Sequence, residues 1–128
     1  MNSDLIASAA QAREHAVAPY SNFKVGAALL TTGGKIYQGC NIENASYGLT
    51  VCAETVALMK ALSDGERQFI EIAVVTDAAT LTPPCGPCRQ LLWEHCGDIP
   101  VHLHSIQGLH HTLKLSELFP HPFDSRNL

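Results

Sequence analysis

The chain has 128 residues, a common size for one domain and long enough to bury roughly two-thirds of the surface its unfolded form exposes. Its 46% hydrophobic and 16% charged residues exclude the low-hydrophobicity, high-charge profile of a disordered chain. With 8 basic against 12 acidic residues the net charge is -4, so the electrostatic footprint of a nucleic acid polymer partner is excluded as well.

Met1-Asn2-Ser3-Asp4-Leu5 has no basic stretch leading into an apolar core, and no run approaches the roughly 18 apolar residues that a membrane span needs. A cytoplasmic protein without membrane contact is expected. Residues 3–17 read as an amphipathic helix capped by Ser3, with Leu5, Ile6, Ala9, Ala12 and Ala16 on one stripe and Pro19 beyond its end. Phe23, Val25, Ala27 and Leu29 alternate as in a strand; Thr32-Gly33-Gly34-Lys35 is a turn, and Ile36 to Asn41 is the hairpin partner.

A second helix is expected from Val51 to about Leu62, stopped by Ser63-Asp64-Gly65. Ile70 to Thr76 reads as a buried strand, a third helix starts near Pro84 and runs to Cys96-Gly97, and Val101, Leu103 and Ser105 mark another strand. This order predicts an α/β sandwich with a mixed sheet, in one domain spanning 1–128, with Asp124 to Leu128 as a frayed tail.

Five cysteines, an odd number, disfavour a pure disulfide framework and point to metal binding or catalysis. Two of them, Cys85 and Cys88, are three apart in Pro84-Cys85-Gly86-Pro87-Cys88, so one helical turn brings both sulfurs to one side. A third, Cys52, stands in Cys52-Ala53-Glu54 at the start of the preceding helix. Three protein ligands leave tetrahedral zinc one open position for water, and a carboxylate two residues from a ligand can take that water's proton. Taken alone, the Cys-x-x-Cys pair also fits a structural zinc site, closed by Cys40 as fourth ligand, or a redox dithiol. The whole constellation is the Cys₃ form of the zinc nucleobase deaminase signature.

With these residues the chain resembles the small homotetrameric cytidine deaminases. The resemblance also covers Pro19-Tyr20-Ser21-Asn22-Phe23-Lys24-Val25-Gly26-Ala27-Ala28, Gly39 to Tyr47, and Arg89-Gln90. It implies a three-layer α-β-α sandwich with a mixed five-stranded sheet, one Zn²⁺ per subunit on Cys52, Cys85 and Cys88, and Glu54 as the proton-transferring catalytic residue. It further implies that Asn41 and Glu43 bind the ribose hydroxyls, that Phe23 packs on the pyrimidine, and that backbone near Ala53 holds the base. Ala45-Ser46-Tyr47 and Phe123 would enter a neighbouring subunit's site, making the homotetramer part of the catalytic unit.

The implied function is hydrolytic deamination of cytidine, 2′-deoxycytidine or a substituted cytosine nucleoside in pyrimidine salvage; a related aminopyrimidine nucleoside such as a cytosine-nucleoside antibiotic is the alternative. Two positions depart from the family. Thr55 stands where Cys₃ members usually carry an arginine that hydrogen-bonds the thiolates, which leaves the helix N-termini and Arg89 to balance the charge. His121 and Pro122 replace small residues ahead of Phe123. Cys40 and Cys96 are expected as small buried hydrophobes. His102, His104 and His110-His111 are expected to face solvent, and without a matching carboxylate no second metal site is assigned to them.

Overall fold

The computed structural model describes residues 3–128. One five-stranded sheet, in the order β2-β1-β3-β4-β5, organises the chain. Its strands are β1 (Gly26–Thr31), β2 (Ile36–Cys40), β3 (Phe69–Thr76), β4 (Pro100–Ser105) and β5 (His110–Lys114). The sheet is mixed: β3 and β4 are parallel, while β1 runs antiparallel to both β2 and β3, and β5 antiparallel to β4. Helix α1 (Ser3–Arg13) lies on one face, and α2 (Ala53–Ser63) and α3 (Gly86–Cys96) on the other. The expected three-layer sandwich is thus present. No helix among the described residues is long and apolar enough to cross a membrane.

Both faces of the central strands are covered, so β1 is buried along almost its whole length rather than on alternate residues. Ala27 and Leu29 join Val74, Leu58 and Leu92 under α2 and α3, whereas Ala28 joins Ala73, Val75, Leu5 and Ala9 under α1. Alanines dominate the helix faces, and the helices therefore sit close to the sheet. Two glycines mark the closest approaches: a Cβ on Gly26 would stand 2.0 Å from the Ala9 carbonyl, and one on Gly39 would stand 2.2 Å from the Ala53 carbonyl. Gly39 is what lets the first turn of α2 rest directly on β2.

Several sequence boundaries are corrected. The first helix stops at Arg13 instead of residue 17, because Val17 is drawn into an extended bridge with Ile42 (Val17 N to Asn41 O, 2.9 Å) just before the Ala18-Pro19 step that disfavours helix. Phe23 and Val25 lie ahead of β1, where the Asn41 side chain substitutes for a ladder: Val25 N donates to Asn41 Oδ1 (2.9 Å), and Asn41 Nδ2 donates to the Phe23 carbonyl (2.8 Å). The segment after β4, whose sequence carries no clear periodicity, forms β5 and a single turn, α4 (Leu115–Leu118).

The expected frayed tail is ordered. Trp93 Nε1 donates to Asp124 Oδ2 at 3.0 Å, Arg126 pairs with the same carboxylate at 2.8 Å, and Ser125–Asn127 forms a 3₁₀ turn capped by Asp124. Sequence periodicity misses this, since the tail is held by side-chain bonds to α3.

Candidate active site

Cys52 and Cys85 are the N-cap residues of α2 and α3, in extended backbone conformation, and neither sulfur is used in a side-chain cap. Cys88 follows one turn into α3, with Pro87 between them in the first turn, where its missing N–H costs nothing. The three Sγ atoms lie within 4.8 Å of one another, the one such group of potential metal ligands among the described residues. Cys52 and Cys85 sulfurs are 3.7 Å apart. Two thiolates on one tetrahedral zinc, with bonds of about 2.3 Å, stand about 3.8 Å apart, so the observed spacing already fits that ion. Cys40 lies elsewhere, half-buried at the end of β2 beside Ala12, His15 and Lys60, which removes it as a fourth ligand. Cys96 is half-buried against the main core.

The electrostatics favour a cation here. Without one, the Cys88 thiol is held far above its usual pKa, first by its hydrogen bond with Cys52, then by burial and the charge of Glu54, while the bond from Thr55 pulls it down. Burial likewise raises Cys85. Both helix starts present unpaired N–H groups and positive dipole ends to the sulfurs, so thiolates gain from this position once a divalent ion joins them.

Glu54 occupies the first turn of α2 and is 5% exposed, with its carboxyl on a cavity of about 350 Å³ shared with Phe23, Asn41, Glu43, Ala53 and Cys52. Burial raises its pKa above the ordinary carboxylate value, and only its own backbone N–H opposes that shift. A carboxyl held above its ordinary value in this way keeps its proton more readily than an exposed one and is suited to exchange it with a bound substrate.

Asn41 and Glu43 reach the same cavity because Ile42 and Val51 are clamped by a pair of reciprocal 2.9 Å backbone hydrogen bonds, which lays residues 41–43 beside Cys52. Asn41 spends one lone pair and one N–H on the Phe23–Val25 segment, leaving one of each for a ligand. Glu43 accepts from the backbone N–H groups of Tyr20 (3.0 Å) and Ser21 (3.2 Å) and from the Ser21 hydroxyl. These donors, the hydroxyl foremost and with burial opposing, hold its pKa below the ordinary value, so the carboxylate is a fixed acceptor. No local sequence signal marks Ser21 as the partner of Glu43, since the two stand 22 residues apart.

Thr55 and Arg89 are placed differently from one another. Thr55 Oγ1 is 3.4 Å from Cys88 Sγ and is the side chain that touches a candidate ligand. Arg89 directs its hydrogen bonds to carbonyls, with Nε to Pro84 O at 2.7 Å and Nη1 to Leu118 O. It thereby ties the start of α3 to the segment that carries Phe123, whose carbonyl also accepts from Gln90 Nε2 at 2.8 Å.

Ala45, Ser46 and Tyr47 are exposed, and Tyr47, at the start of a 3₁₀ turn, is 82% exposed. Phe123 is 59% exposed. A second hollow of about 370 Å³, lined by Tyr20, Asn44 and Tyr47, continues from the first through Ser21, Glu43 and Thr50.

The model of the cytidine and deoxycytidylate deaminase zinc-binding region matches residues 1–101. The chain belongs to that family. A cytidine deaminase of Halalkalibacterium halodurans is 51% identical over 125 residues, covering 97% of this chain and 95% of the relative. The crystal structure of a cytidine deaminase from Burkholderia pseudomallei superposes with a TM-score of 0.91 at 48% identity, covering 96% of this chain and all of that one (100%). A blasticidin-S deaminase from Bacillus cereus is more distant, 33% identical over 104 residues and covering 75% of this chain and 74% of the relative. In this zinc-binding family the trio Cys52, Cys85 and Cys88 is the cluster positioned for the ion.

Proposed function

We propose that this protein catalyses the hydrolytic deamination of cytidine, 2′-deoxycytidine or a substituted cytosine nucleoside, releasing ammonia and the uridine product, as a step of pyrimidine salvage in the cytoplasm. The observation that carries this is the convergence of three sulfurs with one buried carboxyl, Glu54, on a cavity that also holds Asn41 and Glu43.

Cys52, Cys85 and Cys88 would hold one zinc ion, which when bound lowers the pKa of water at its fourth position and so supplies a nucleophile at neutral pH. Glu54 takes the proton of the attacking water, gives it to N3 of the base as C4 becomes tetrahedral, and passes a proton to the departing amino group. Its burial matches this double duty, because raising the pKa of a carboxyl makes it a better proton acceptor while it still donates. Asn41 and Glu43 read the ribose hydroxyls, Phe23 packs against the pyrimidine, and the backbone at Ala53 holds the base edge. Thr55 lends a hydroxyl to Cys88, and Arg89 anchors the turn that presents Cys85 and Cys88 while its charge acts on the cluster through space.

The exposed apolar side chains Tyr47, Leu49 and Phe123 support a homotetramer in which Ala45-Ser46-Tyr47 and Phe123 complete neighbouring sites. The likeness to a blasticidin-S deaminase supports including cytosine-nucleoside antibiotics as a second substrate class.

Ultraviolet-monitored turnover across cytidine, deoxycytidine, free cytosine and N4- or C5-substituted nucleosides tests the proposal. Nucleosides should react and cytosine should not, while Glu54→Ala should bind zinc yet be inactive. A zinc-loaded parent that turns over none of them would overturn the assignment.

A further inference from the structure

Away from the cavity, His110 and His111 are exposed as expected, but His102 is 4% exposed, with Nε2 3.4 Å from Glu71 Oε1 and Nδ1 2.8 Å from Thr112 Oγ1. The solvent-facing expectation therefore fails for His102, and a carboxylate does stand beside it. The segment from Leu118 to Asp124 is tied down as well, yet it leaves one large group unused, the ring of Phe123.

Trp93 is three residues beyond Gln90 and four beyond Arg89, so the three side chains lie on one side of α3. Each reaches the C-terminal segment. Arg89 Nη1 donates to the Leu118 carbonyl, Gln90 Nε2 to the Phe123 carbonyl at 2.8 Å, and Trp93 Nε1 to Asp124 Oδ2 at 3.0 Å. The same carboxylate is held from the other side by Arg126 at 2.8 Å. Between the Leu118 and Phe123 anchors run Pro120, His121 and Pro122. Each proline fixes its own φ, and His121, at φ 53°, takes the left-handed conformation, which persists only where its surroundings impose it. The backbone on both sides of Phe123 is thus fixed, while its ring is 59% exposed and lies outside the lining of the cavity in its own chain.

We propose that Gln90 and Trp93 are positioning residues that hold Phe123 ready for a neighbouring subunit's substrate, an assignment that rests on the deaminase reading and on Phe123 entering that site. A loose segment would have to be ordered each time substrate binds, and the lost freedom would appear as a higher KM. Anchoring the segment to α3 removes that penalty before the substrate arrives. The anchors leave the ring itself free, because they engage only the carbonyl of Phe123 and the carboxylate that follows it. Helix α3 also begins at Cys85 and carries Cys88, so one rigid element sets two metal ligands of its own site and the ring offered to the next.

Steady-state deamination of cytidine by the intact protein tests the assignment in two variants. Gln90→Met keeps the side-chain length and loses the N–H donors; Trp93→Phe keeps an aromatic ring and loses the indole N–H. Each should raise KM about 2- to 12-fold, the effect of one hydrogen bond, with kcat and zinc content unchanged. Phe123→Ala should raise KM too, and adding Gln90→Met to it should raise KM no further, because Gln90 acts only through that ring. Hydrogen exchange at Phe119, His121 and Phe123 should be faster in Gln90→Met than in the parent, a readout that needs no turnover. Parent KM or parent exchange in Gln90→Met, a fall in its kcat or zinc content, or additive effects in the double variant would overturn the positioning role. Parent KM in Phe123→Ala would instead remove the ring from the neighbouring site, and the positioning role with it.

Discussion

The cysteine corner and the exposed aromatic side chains proposed as the rim, Tyr47 and Phe123, are built in opposite ways. Cys52, Glu54, Cys85 and Cys88 sit at the starts of two helices pressed onto a sheet, and Glu54 and Cys88 are buried by the chain's own core. Tyr47 and Phe123 stand exposed, on a 3₁₀ turn and on the segment after α4. The corner is thus complete within one chain, whereas the proposed rim needs a second chain to have anything to press against. In the proposed function the reaction chemistry depends on the first, and the second adds contacts to a substrate that Phe23, Asn41 and Glu43 of the same chain already hold.

Replacing Glu54 with Gln should separate the two regions most sharply. Removing a general acid–base group costs about 10²–10⁴-fold in rate, so kcat should fall by that order while zinc content and nucleoside binding persist. Zinc analysis with inhibitor titration reads both, and a loss of metal would show that Glu54 is structural instead.

Next in size is Thr55→Val, which removes the 3.4 Å contact to Cys88 without changing shape much. Outer-sphere substitutions cost about 10–100-fold in metal affinity, so chelator competition should show zinc leaving that much more readily, with Thr55→Ser restoring it. Equal retention by Thr55→Val and the parent would leave the helix starts and Arg89 to balance the charge.

At the rim, Phe123→Ala should act on KM rather than kcat. An aromatic stacking contact is worth about 0.5–1.5 kcal/mol, or roughly 2- to 12-fold in KM. If the ring completes a neighbouring site, dilution of the parent into monomers should raise KM similarly, and sedimentation run alongside would show whether the two effects coincide.

The smallest expected effect is one of pH. The Ser21 hydroxyl and two backbone N–H groups lower the Glu43 pKa, so its carboxylate stays charged above that lowered value and is neutralised only when pH falls through it. KM for a ribonucleoside should therefore stay flat through the ordinary carboxylate range in the parent. Ser21→Ala removes the largest cause of the shift, returns the Glu43 pKa toward its usual value, and should move the rise in KM to higher pH. KM profiles that overlie one another would remove Ser21 from that role.

The cysteine corner was legible in the sequence because its spacings are local. Cys85 and Cys88 are one helical turn apart, Cys52 and Glu54 share a first turn, and a helix start gives such short patterns a definite direction. The alternation read from Phe23 to Leu29 was harder: sequence shows that apolar residues recur, but α1 and α2 on opposite faces bury β1 throughout, and Phe23 and Val25 are held by an asparagine side chain from after β2. β5 escaped notice because its polar run, His110-His111-Thr112-Leu113-Lys114, lies at the sheet edge with little apolar signal.

By itself, then, the sequence determined the ligand types, the carboxylate beside them, and the family to which these residues belong, since all of these reside in short stretches of chain. Tertiary structure alone decided that Cys40 stands apart from the other three sulfurs, that Ser21 holds Glu43, that Thr55 rather than Arg89 touches a sulfur, and that Glu71 backs His102. Each of these joins residues distant in sequence, and their contacts follow from sheet register and helix docking, which are set by the packing of the whole core.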